Sequence, residues 1–271
     1  MNNLNQSITT YSNLILNMHP LLQPTSRPGG RFQLATLLLL LAAAPLFAAD
    51  EPLHYLPPGQ PDASLLLAPP PLPGSAEQAA DMAEVVAAHN ACTTNEAALA
   101  FSEKKFSVFN FTPAVGAFFQ PDKFPKTEAF FEHVKKDAAT ATDTAKEFWK
   151  RPRPFVTDPS LGSGQLEKTF SYPSGHGTEG MVLALVLAEL FPDKHDEIMA
   201  VGRAIGWHRV GIARHYPTDI YAGRVFAQAI VREMKNNLAF HRDFEAARSE
   251  IEAARQSVKA AATSLRPAAA N

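Results

Sequence analysis

Three short groups of basic, histidine and carboxylate side chains stand out in the second half of the chain. Lys146 is followed after six residues by Arg153-Pro154, and Pro173-Ser174-Gly175-His176 comes next. The third group is Arg209, five residues, His215, three residues and Asp219. A phosphate monoester carries about −1.5 to −2 charges near neutral pH, and clustered cations with two histidines suit such an anion. The spacing therefore indicates a site for a phosphate group.

Five residues form the predicted phosphate-binding set. Arg153 and Arg209 can each donate two parallel hydrogen bonds to phosphate oxygens, and Lys146 supplies a point charge. Ser174 and Gly175 stand just before an apolar stretch that predicts a helix. Their backbone N–H groups are therefore expected to face an anion at the N-terminus of that helix.

Two histidines and one carboxylate are the predicted catalytic residues. We expect His215 to attack phosphorus and form a phosphohistidine, which water then hydrolyses. Asp219 lies four residues further on, one turn away if the stretch is helical, and could hold the other ring nitrogen. His176 would protonate the leaving oxygen and then activate the water. Because one histidine must be neutral while the other is charged, we predict a bell-shaped pH profile on the acid side.

The combined pattern K-x6-RP, PSGH and R-x5-H-x3-D resembles the signature shared by bacterial class A non-specific acid phosphatases, type 2 phosphatidic acid phosphatases and vanadium haloperoxidases. The similarity to the class A enzymes extends from the Tyr55-Leu56 region to about Gly223. It implies an all-α, single-domain helical bundle that hydrolyses diverse phosphate monoesters without a metal or cofactor. It also implies a homodimer. The chain departs from the signature at His208, where the family has serine.

Several alternatives remain open at this point. A lipid or isoprenoid-diphosphate phosphatase would share the motif but act on membrane-borne substrates. A vanadate-dependent haloperoxidase would use the same pocket for vanadate, and a non-catalytic protein could simply bind phosphate. His208, His215 and Asp219 could instead be metal ligands. Nucleic acid is not an expected partner, since the formal net charge is −2 and no long basic run occurs.

The N-terminal part of the chain reads as a leader. Residues 1–48 contain no Asp, Glu or Lys, and Arg27 and Arg31 precede an apolar run from Leu34 to Phe47. A basic region, an apolar run and small residues are the order of a secretory signal peptide. We expect cleavage after Ala48 or Ala49, a periplasmic or secreted enzyme and no stable membrane insertion after cleavage. An uncleaved membrane anchor and translation from Met18 are the alternatives.

The remaining chain divides into an arm and a helical domain, which must position the site. Residues 49–74 are rich in proline and predict an extended arm. Residues 75–271 predict helices, with Ser75 and Thr93 as N-caps. Within residues 127–150 the small residues at 138–142 predict a break between two helices, and residues 151–170 predict a loop. Residues 177–191 predict the central buried helix, and the last helix is expected to be solvated and peripheral.

Overall fold

A computed structural model describes residues 53–162, 164 and 166–264 of this chain. Every regular element in these ranges is helical, which confirms the all-α prediction. The α-helices are α1 (Ala63–Leu66), α2 (Ala76–Ala91), α3 (Thr94–Ser102), α4 (Thr112–Val115), α5 (Pro125–Trp149), α6 (Pro154–Thr157), α7 (Gly175–Leu190), α8 (His195–Gly211), α9 (Pro217–Met234) and α10 (Leu238–Ser264). Short 3-10 turns occur at Glu103–Lys105, Val108–Phe111, Pro121–Lys123, Pro159–Leu161 and Pro192–Lys194. The predicted signal peptide, residues 1–48, lies outside the described residues.

Helix α7 is the centre of the fold, as the sequence predicts. It packs against α5, α8 and α9, and its side chains from Met181 to Leu190 are almost all buried. A helix that is apolar on all sides must be surrounded by other elements. The N-cap residue Ser174 accepts a hydrogen bond from the N–H of Gly177 at 3.1 Å, which fixes where α7 begins.

Helix α5 is continuous, so the predicted break at residues 138–142 is wrong. Ala138 and Thr142 are fully buried, and the Thr142 hydroxyl donates to the carbonyl of Ala138 at 2.7 Å. The small side chains therefore lie on the buried face of a continuous helix and do not mark a chain break. Because the helix runs on to Trp149, Lys146 sits in its last turn, next to the loop that carries Arg153.

Three segments contain more helix, or bury more surface, than their sequence patterns indicate. The proline-rich arm includes the single turn α1, which Asp62 caps by accepting from the N–H of Ser64 at 2.9 Å. The loop at 151–170 includes the turn α6. Helix α10 is not merely peripheral, because it packs against α5 and buries an apolar stripe consisting of Phe240, Phe244, Ala247 and Ile251.

None of the helices in the described ranges is both long enough and apolar enough to cross a membrane.

Candidate active site

The three motif segments meet where α5 and α8 end and α7 and α9 begin. Lys146 lies in the last turn of α5, Arg209 in the last turn of α8 and Asp219 in the first turn of α9. Between α8 and α9 the chain reverses through Ala213, whose φ of 53° is left-handed. The N–H of His215 then donates to the carbonyl of Arg209 at 3.3 Å. This tight turn carries His215 back toward the other motif residues.

His215 is buried and has a different partner on each ring nitrogen. Its Nδ1 lies 3.2 Å from Oδ2 of Asp219, and its Nε2 lies 3.1 Å from Nη1 of Arg153. A guanidinium has only N–H donors, so Nε2 accepts with its lone pair and the proton is on Nδ1. Burial and the positive charges of Arg153 and Lys146 lower the pKa of His215 well below its ordinary value. His215 is therefore a neutral imidazole with a bare Nε2.

The contact between His215 and Asp219 does not lie within one turn of a regular helix. His215 precedes α9, which begins at Pro217, and Asp219 is the third residue of that helix. The side chain of Asp219 turns back, and its Oδ2 also accepts the N–H of Tyr216 at 2.9 Å. The two side chains meet across the start of α9. The contact expected from the i, i+4 spacing is therefore made by a residue that caps the helix.

Asp219 is fully buried and accepts four hydrogen bonds. Its Oδ1 accepts from Nη1 of Arg151 at 2.6 Å, and its Oδ2 accepts from the Ser171 hydroxyl at 2.5 Å. The other two donors are the Tyr216 N–H and Nδ1 of His215. Burial raises the pKa of Asp219, while Arg151, Ser171 and the Tyr216 N–H act to lower it. Such a set of donors is what an ionised buried carboxylate requires.

Arg153 is held rigidly by backbone and side-chain oxygens. Its Nε donates to the carbonyl of Thr169 at 2.7 Å and its Nη2 to the Thr169 hydroxyl at 2.9 Å. Its Nη1 donates to the carbonyl of Arg214 at 2.9 Å and faces Nε2 of His215. Burial lowers the pKa of Arg153 to about 10, so it remains charged at neutral and acid pH. A cation is thus fixed beside the candidate nucleophile.

A carboxylate stands next to the second predicted arginine. Nη2 of Arg209 donates to Oε1 of Glu167 at 2.7 Å, and Nε of Arg214 lies 2.8 Å from Oε2 of the same residue. The remaining contact of Arg209 is from Nη1 to the carbonyl of Ala100 at 3.0 Å, and its buried Nε has no acceptor among the described residues. A phosphate bound by Arg209 would compete with Glu167 for that guanidinium.

His176 is oriented by the turn that follows α3. Its Nε2 lies 3.1 Å from the carbonyl of Glu103, so Nε2 carries the proton and Nδ1 is bare. Burial, with the charges of Arg209 and Lys146, lowers the pKa of His176 to about 3. The Glu103 side chain in turn contacts Nδ1 of His208 at 2.8 Å. His208, which replaces the serine of the signature, therefore supports the segment that holds His176.

Ser174 uses its backbone N–H inside the protein. That group donates to the carbonyl of Asp219 at 3.0 Å, which ties the start of α7 to α9. The Ser174 N–H therefore does not face an anion as the sequence predicts. The hydroxyl hydrogen is the donor of Ser174 that could still reach a phosphate. The N–H of Gly175, the first of α7, has no acceptor among the described residues, as is usual at a helix start.

Lys146 reaches the same helix start. It is 8% exposed, and a Cβ placed on Gly175 would lie 3.5 Å from its Nζ. The Nζ also pairs with the exposed Asp143 at 2.9 Å. Since the charge of Lys146 lowers the pKa of both His176 and His215, it acts on the two histidines at once.

One alternative from the sequence places a metal ion on His208, His215 and Asp219. No group of three His, Cys, Asp or Glu side chains in these ranges is arranged to hold an ion. In the alternative that pairs His208 with His215 and Asp219, the Nδ1 of His208 instead contacts Glu103.

Several contacting residues lie outside the motif positions. Arg151 and Ser171 hold Asp219, Thr169 holds Arg153, and Glu103 holds His176. The sequence does carry one signal for Arg151, because this residue stands two positions before the motif residue Arg153 in an R-P-R-P run. Residue type alone does not separate a buried arginine from a surface one.

Comparisons with known proteins agree with the motif. A sequence profile described as the PAP2 superfamily matches residues 138–241, a stretch that contains every motif residue. The chain is 32% identical over 199 residues to a protein of Zymomonas mobilis named acid phosphatase, covering 70% of this chain and 75% of that protein.

Two further likenesses are more distant or shorter. A non-specific acid phosphatase of Salmonella typhimurium is 33% identical over 147 residues, or 52% of this chain and 59% of that protein. A crystal structure of a transmembrane PAP2 type phosphatidylglycerolphosphate phosphatase from Bacillus subtilis aligns with a TM-score of 0.44 and 18% identity, covering 64% of this chain and 89% of that one.

Proposed function

Because this chain belongs to the PAP2 superfamily and is a phosphatase related to named acid phosphatases, we propose that it hydrolyses phosphate monoesters of broad specificity through a phosphohistidine on His215. The observation that carries this proposal is the environment of His215. Its Nε2 is bare and faces the fixed cation Arg153, while its Nδ1–H is held by Asp219. A histidine in this state is a nucleophile beside a group that attracts phosphate oxygens.

The first step is transfer of the phosphoryl group. Arg153, Arg209 and Lys146 bind the phosphate oxygens, and the Nη1 hydrogen of Arg153 passes from Nε2 of His215 to a phosphate oxygen. The freed lone pair of Nε2 then attacks phosphorus as the bond to the ester oxygen breaks. The Nδ1 of His176 gives a proton to the departing alcohol, since its Nε2–H is engaged by Glu103. Asp219 stabilises the positive charge that develops on the ring of His215.

The second step regenerates the enzyme. Nδ1 of His176, now bare, removes a proton from water, and the water oxygen attacks phosphorus. The bond between phosphorus and Nε2 of His215 breaks, inorganic phosphate leaves, and His176 again holds the proton it needs for the next ester. No oxidant, reductant or further reactant enters the cycle.

A polar cleft beside the site favours soluble esters over lipids. The cleft has a volume of about 640 Å³ and reaches Lys146 and Thr169, the residue that holds Arg153. Its other lining residues are Lys136, Thr140, Asp143, Thr144 and Glu147. Hydroxyl and charged groups suit a polar leaving group, whereas acyl chains would need an apolar channel. Export to the periplasm or medium and assembly as a homodimer belong to this proposal as well.

The intermediate is the test of the mechanism. We expect phosphate release from an aryl phosphate in the presence of EDTA, and none from the His215→Ala variant. The aryl oxide of an aryl phosphate leaves easily without a proton, so the His176→Ala variant should be phosphorylated on His215 and then stall. Rapid quenching of ³²P-labelled substrate should give an acid-labile, base-stable label on His215 in that variant. Label on another residue, or activity that chelation abolishes and a metal restores, would refute the mechanism.

Two assays address the alternatives. Micellar phosphatidate compared with soluble esters at equal phosphate concentration measures any preference for lipid. Halide oxidation with added vanadate measures haloperoxidase activity. A clear preference for either reaction over soluble ester hydrolysis would overturn the proposed substrate class.

A further inference from the structure

Arg151 is a buried arginine whose side chain lies between two carboxylates. Its Nη1 donates to Oδ1 of Asp219 at 2.6 Å, and its Nη2 donates to Oδ2 of Asp81 at 2.7 Å. The guanidinium also lies 3.9 Å from the centre of the Tyr216 ring. Only 5% of Arg151 is exposed, so these contacts are made without competition from water.

The donors on both Nη atoms of Arg151 are used within the protein. Nη1 also donates to the Thr218 hydroxyl at 2.7 Å, and Nη2 donates to Oε1 of Gln78 at 2.7 Å. Arg153, by contrast, directs Nη1 at Nε2 of His215. Two arginines that are two residues apart thus serve different ends of the imidazole of His215: Arg153 meets the reactive nitrogen, and Arg151 meets the carboxylate behind it.

Asp81 connects α2 to the first turn of α9. Besides Arg151, its carboxylate accepts the N–H of Thr218 at 3.2 Å and the hydroxyl of the same residue. Thr218 is the second residue of α9, so Asp81 satisfies an N–H that a helix start leaves open. Only 5% of Asp81 is exposed, and its charge balances that of Arg151.

The contacts of Asp219 divide between its two oxygens. Oδ1 is occupied by Arg151, which leaves Oδ2 for Nδ1 of His215 together with the Ser171 hydroxyl and the Tyr216 N–H. Without Arg151, a fully buried carboxylate would lose its ion pair, and its protonated form would be favoured. A protonated Asp219 no longer specifies which nitrogen of His215 carries the hydrogen.

We propose that Arg151 and Asp81 are positioning residues for His215: together they fix Asp219 so that Oδ2 holds the Nδ1 hydrogen and Nε2 stays bare. The proposal rests on the proposed role of His215 as nucleophile and adds the parts that keep it in its reactive tautomer. Neither residue touches the phosphate. Their loss therefore acts on the chemical step rather than on phosphate binding.

The first experiment measures Arg151→Met, with Arg255→Met as the matched control. Arg255 also pairs with an aspartate, Asp193 at 2.7 Å, but on the surface of α10. We expect kcat of the Arg151 variant to fall about 10- to 100-fold, the size of loss typical when an outer partner that orients a functional side chain is removed. The inhibition constant of inorganic phosphate should stay within about threefold of the parent value, and Arg255→Met should change neither. A phosphate constant that rises as much as kcat falls would make Arg151 a phosphate ligand and overturn the proposal.

The pH profile of kcat provides a second test, because the proposal predicts the direction in which the acid limb moves in each variant. A purely structural role predicts no such direction. The charged and titratable groups around Asp219 are Arg151 with its partner Asp81, Arg153, His215, Tyr172 and Tyr216. Removing the positive charge in Arg151→Met should move the acid limb of kcat to higher pH, because Asp219 is protonated more easily. Removing the negative charge in Asp81→Asn should move that limb to lower pH, with a smaller loss of kcat. Shifts in the same direction, or none, would overturn the proposal.

Two further measurements keep the test decisive. If Arg151→Met does not fold, Asp81→Asn and the ¹⁵N spectrum of the parent enzyme decide, and a parent His215 with a protonated Nε2 would sink the proposal. His215→Ala separates the two levels of the argument. An active His215→Ala enzyme refutes the proposed function, whereas an inactive one beside an unaffected Arg151→Met enzyme refutes only the role of Arg151 and Asp81.

Discussion

His176 illustrates how a single residue's charge state depends on what the pocket contains. Burial and the charges of Arg209 and Lys146 lower its pKa to about 3, so the ring is neutral at mildly acid pH. A general acid, the role proposed for His176, must carry a proton. The negative charge of a bound phosphate acts against the cations, and it should raise the pKa of His176 when the substrate arrives.

We therefore predict that His176 takes up a proton when phosphate binds. Because the anion raises the pKa of His176, protonation and binding favour each other, and affinity for phosphate should increase as the pH falls toward the raised pKa. Titration of the ring by NMR with and without inorganic phosphate should show an upward shift of more than about one unit, equivalent to about 1.4 kcal/mol.

The exposed imidazole of His241 serves as the internal control for that titration. The ring signals of His241 should not change when phosphate is added, since the ring contacts the carbonyl of Lys235, just before α10. Equal shifts at both histidines, or a His176 that does not respond, would mean that His176 does not face the bound anion.

At this scale the motif predicts which residues assemble but not how they are held. The contact of His215 with Asp219 could be expected from their spacing, although it forms across a helix start and not within a helix. The hydrogen bond from the Ser174 N–H to the carbonyl of Asp219 could not be predicted, because it joins residues 45 positions apart in the chain. The contacts of Arg151 could not be predicted from residue type for the same reason, since its partners come from α2 and α9.

Among the elements, the spacing between α7 and α9 decides whether the site forms. A Cβ on Gly223 of α9 would lie 2.9 Å from the carbonyl oxygen of Ser174 and 2.9 Å from the N–H nitrogen of Thr178. No side chain fits there without moving backbone. The two helices therefore touch at the place where the N-cap of α7 meets the helix that carries Asp219.

We predict that Gly223→Ala lowers both stability and activity. The added methyl must push α9 from the start of α7, which should cost about 1–3 kcal/mol of unfolding free energy. The same displacement moves Ser174 and His176 relative to Asp219, so kcat/KM for an aryl phosphate should fall more than about tenfold, because small misplacements are costly in catalysis. Urea unfolding and steady-state kinetics provide the two measurements.

Gly202→Ala is the comparison for this variant. A Cβ at Gly202 of α8 would lie 2.6 Å from Cβ of Ala184, in a helix contact of the same kind further along α7. It should lose similar stability and much less activity. If Gly223→Ala is destabilised but as active as Gly202→Ala, the site does not depend on where α7 and α9 meet.

The elements themselves were predictable wherever a local pattern causes them. The capping residues Ser75 and Thr93 mark helix starts, and Thr93 forms a full capping box with Glu96. The prediction of a break in α5 was wrong because a run of small residues such as 138–142 can either end a helix or let another helix approach. The sequence is the same in both cases. Only the helices that pack against α5 distinguish the two cases.

Over the molecule as a whole, a buried carboxylate of α5 helps to fasten the proline-rich arm. Asp137 of α5 accepts the backbone N–H groups of His54, Tyr55 and Leu56 at 3.0, 2.7 and 3.0 Å. The carbonyl of Tyr55 accepts from Asn237 at 3.0 Å, so the arm also meets the segment before α10. Proline content predicts an extended arm, but contacts between residues about 80 positions apart in the chain lie beyond local patterns.

Asp137→Asn should therefore loosen the arm while leaving the chemistry intact. Asparagine replaces one acceptor oxygen by an NH₂ group that faces the arm's own N–H groups, which leaves buried donors unsatisfied at a cost of about 3 kcal/mol. The urea midpoint should fall accordingly. At low temperature kcat should stay within about twofold, because Asp137 lies more than two turns of α5 before Lys146.

The control is Asp196→Asn, whose side chain is 97% exposed and whose unfolding free energy should change by less than about 0.5 kcal/mol. Equal stability of the two variants would show that the arm is held by its apolar contacts, such as the buried Tyr55, and not by Asp137.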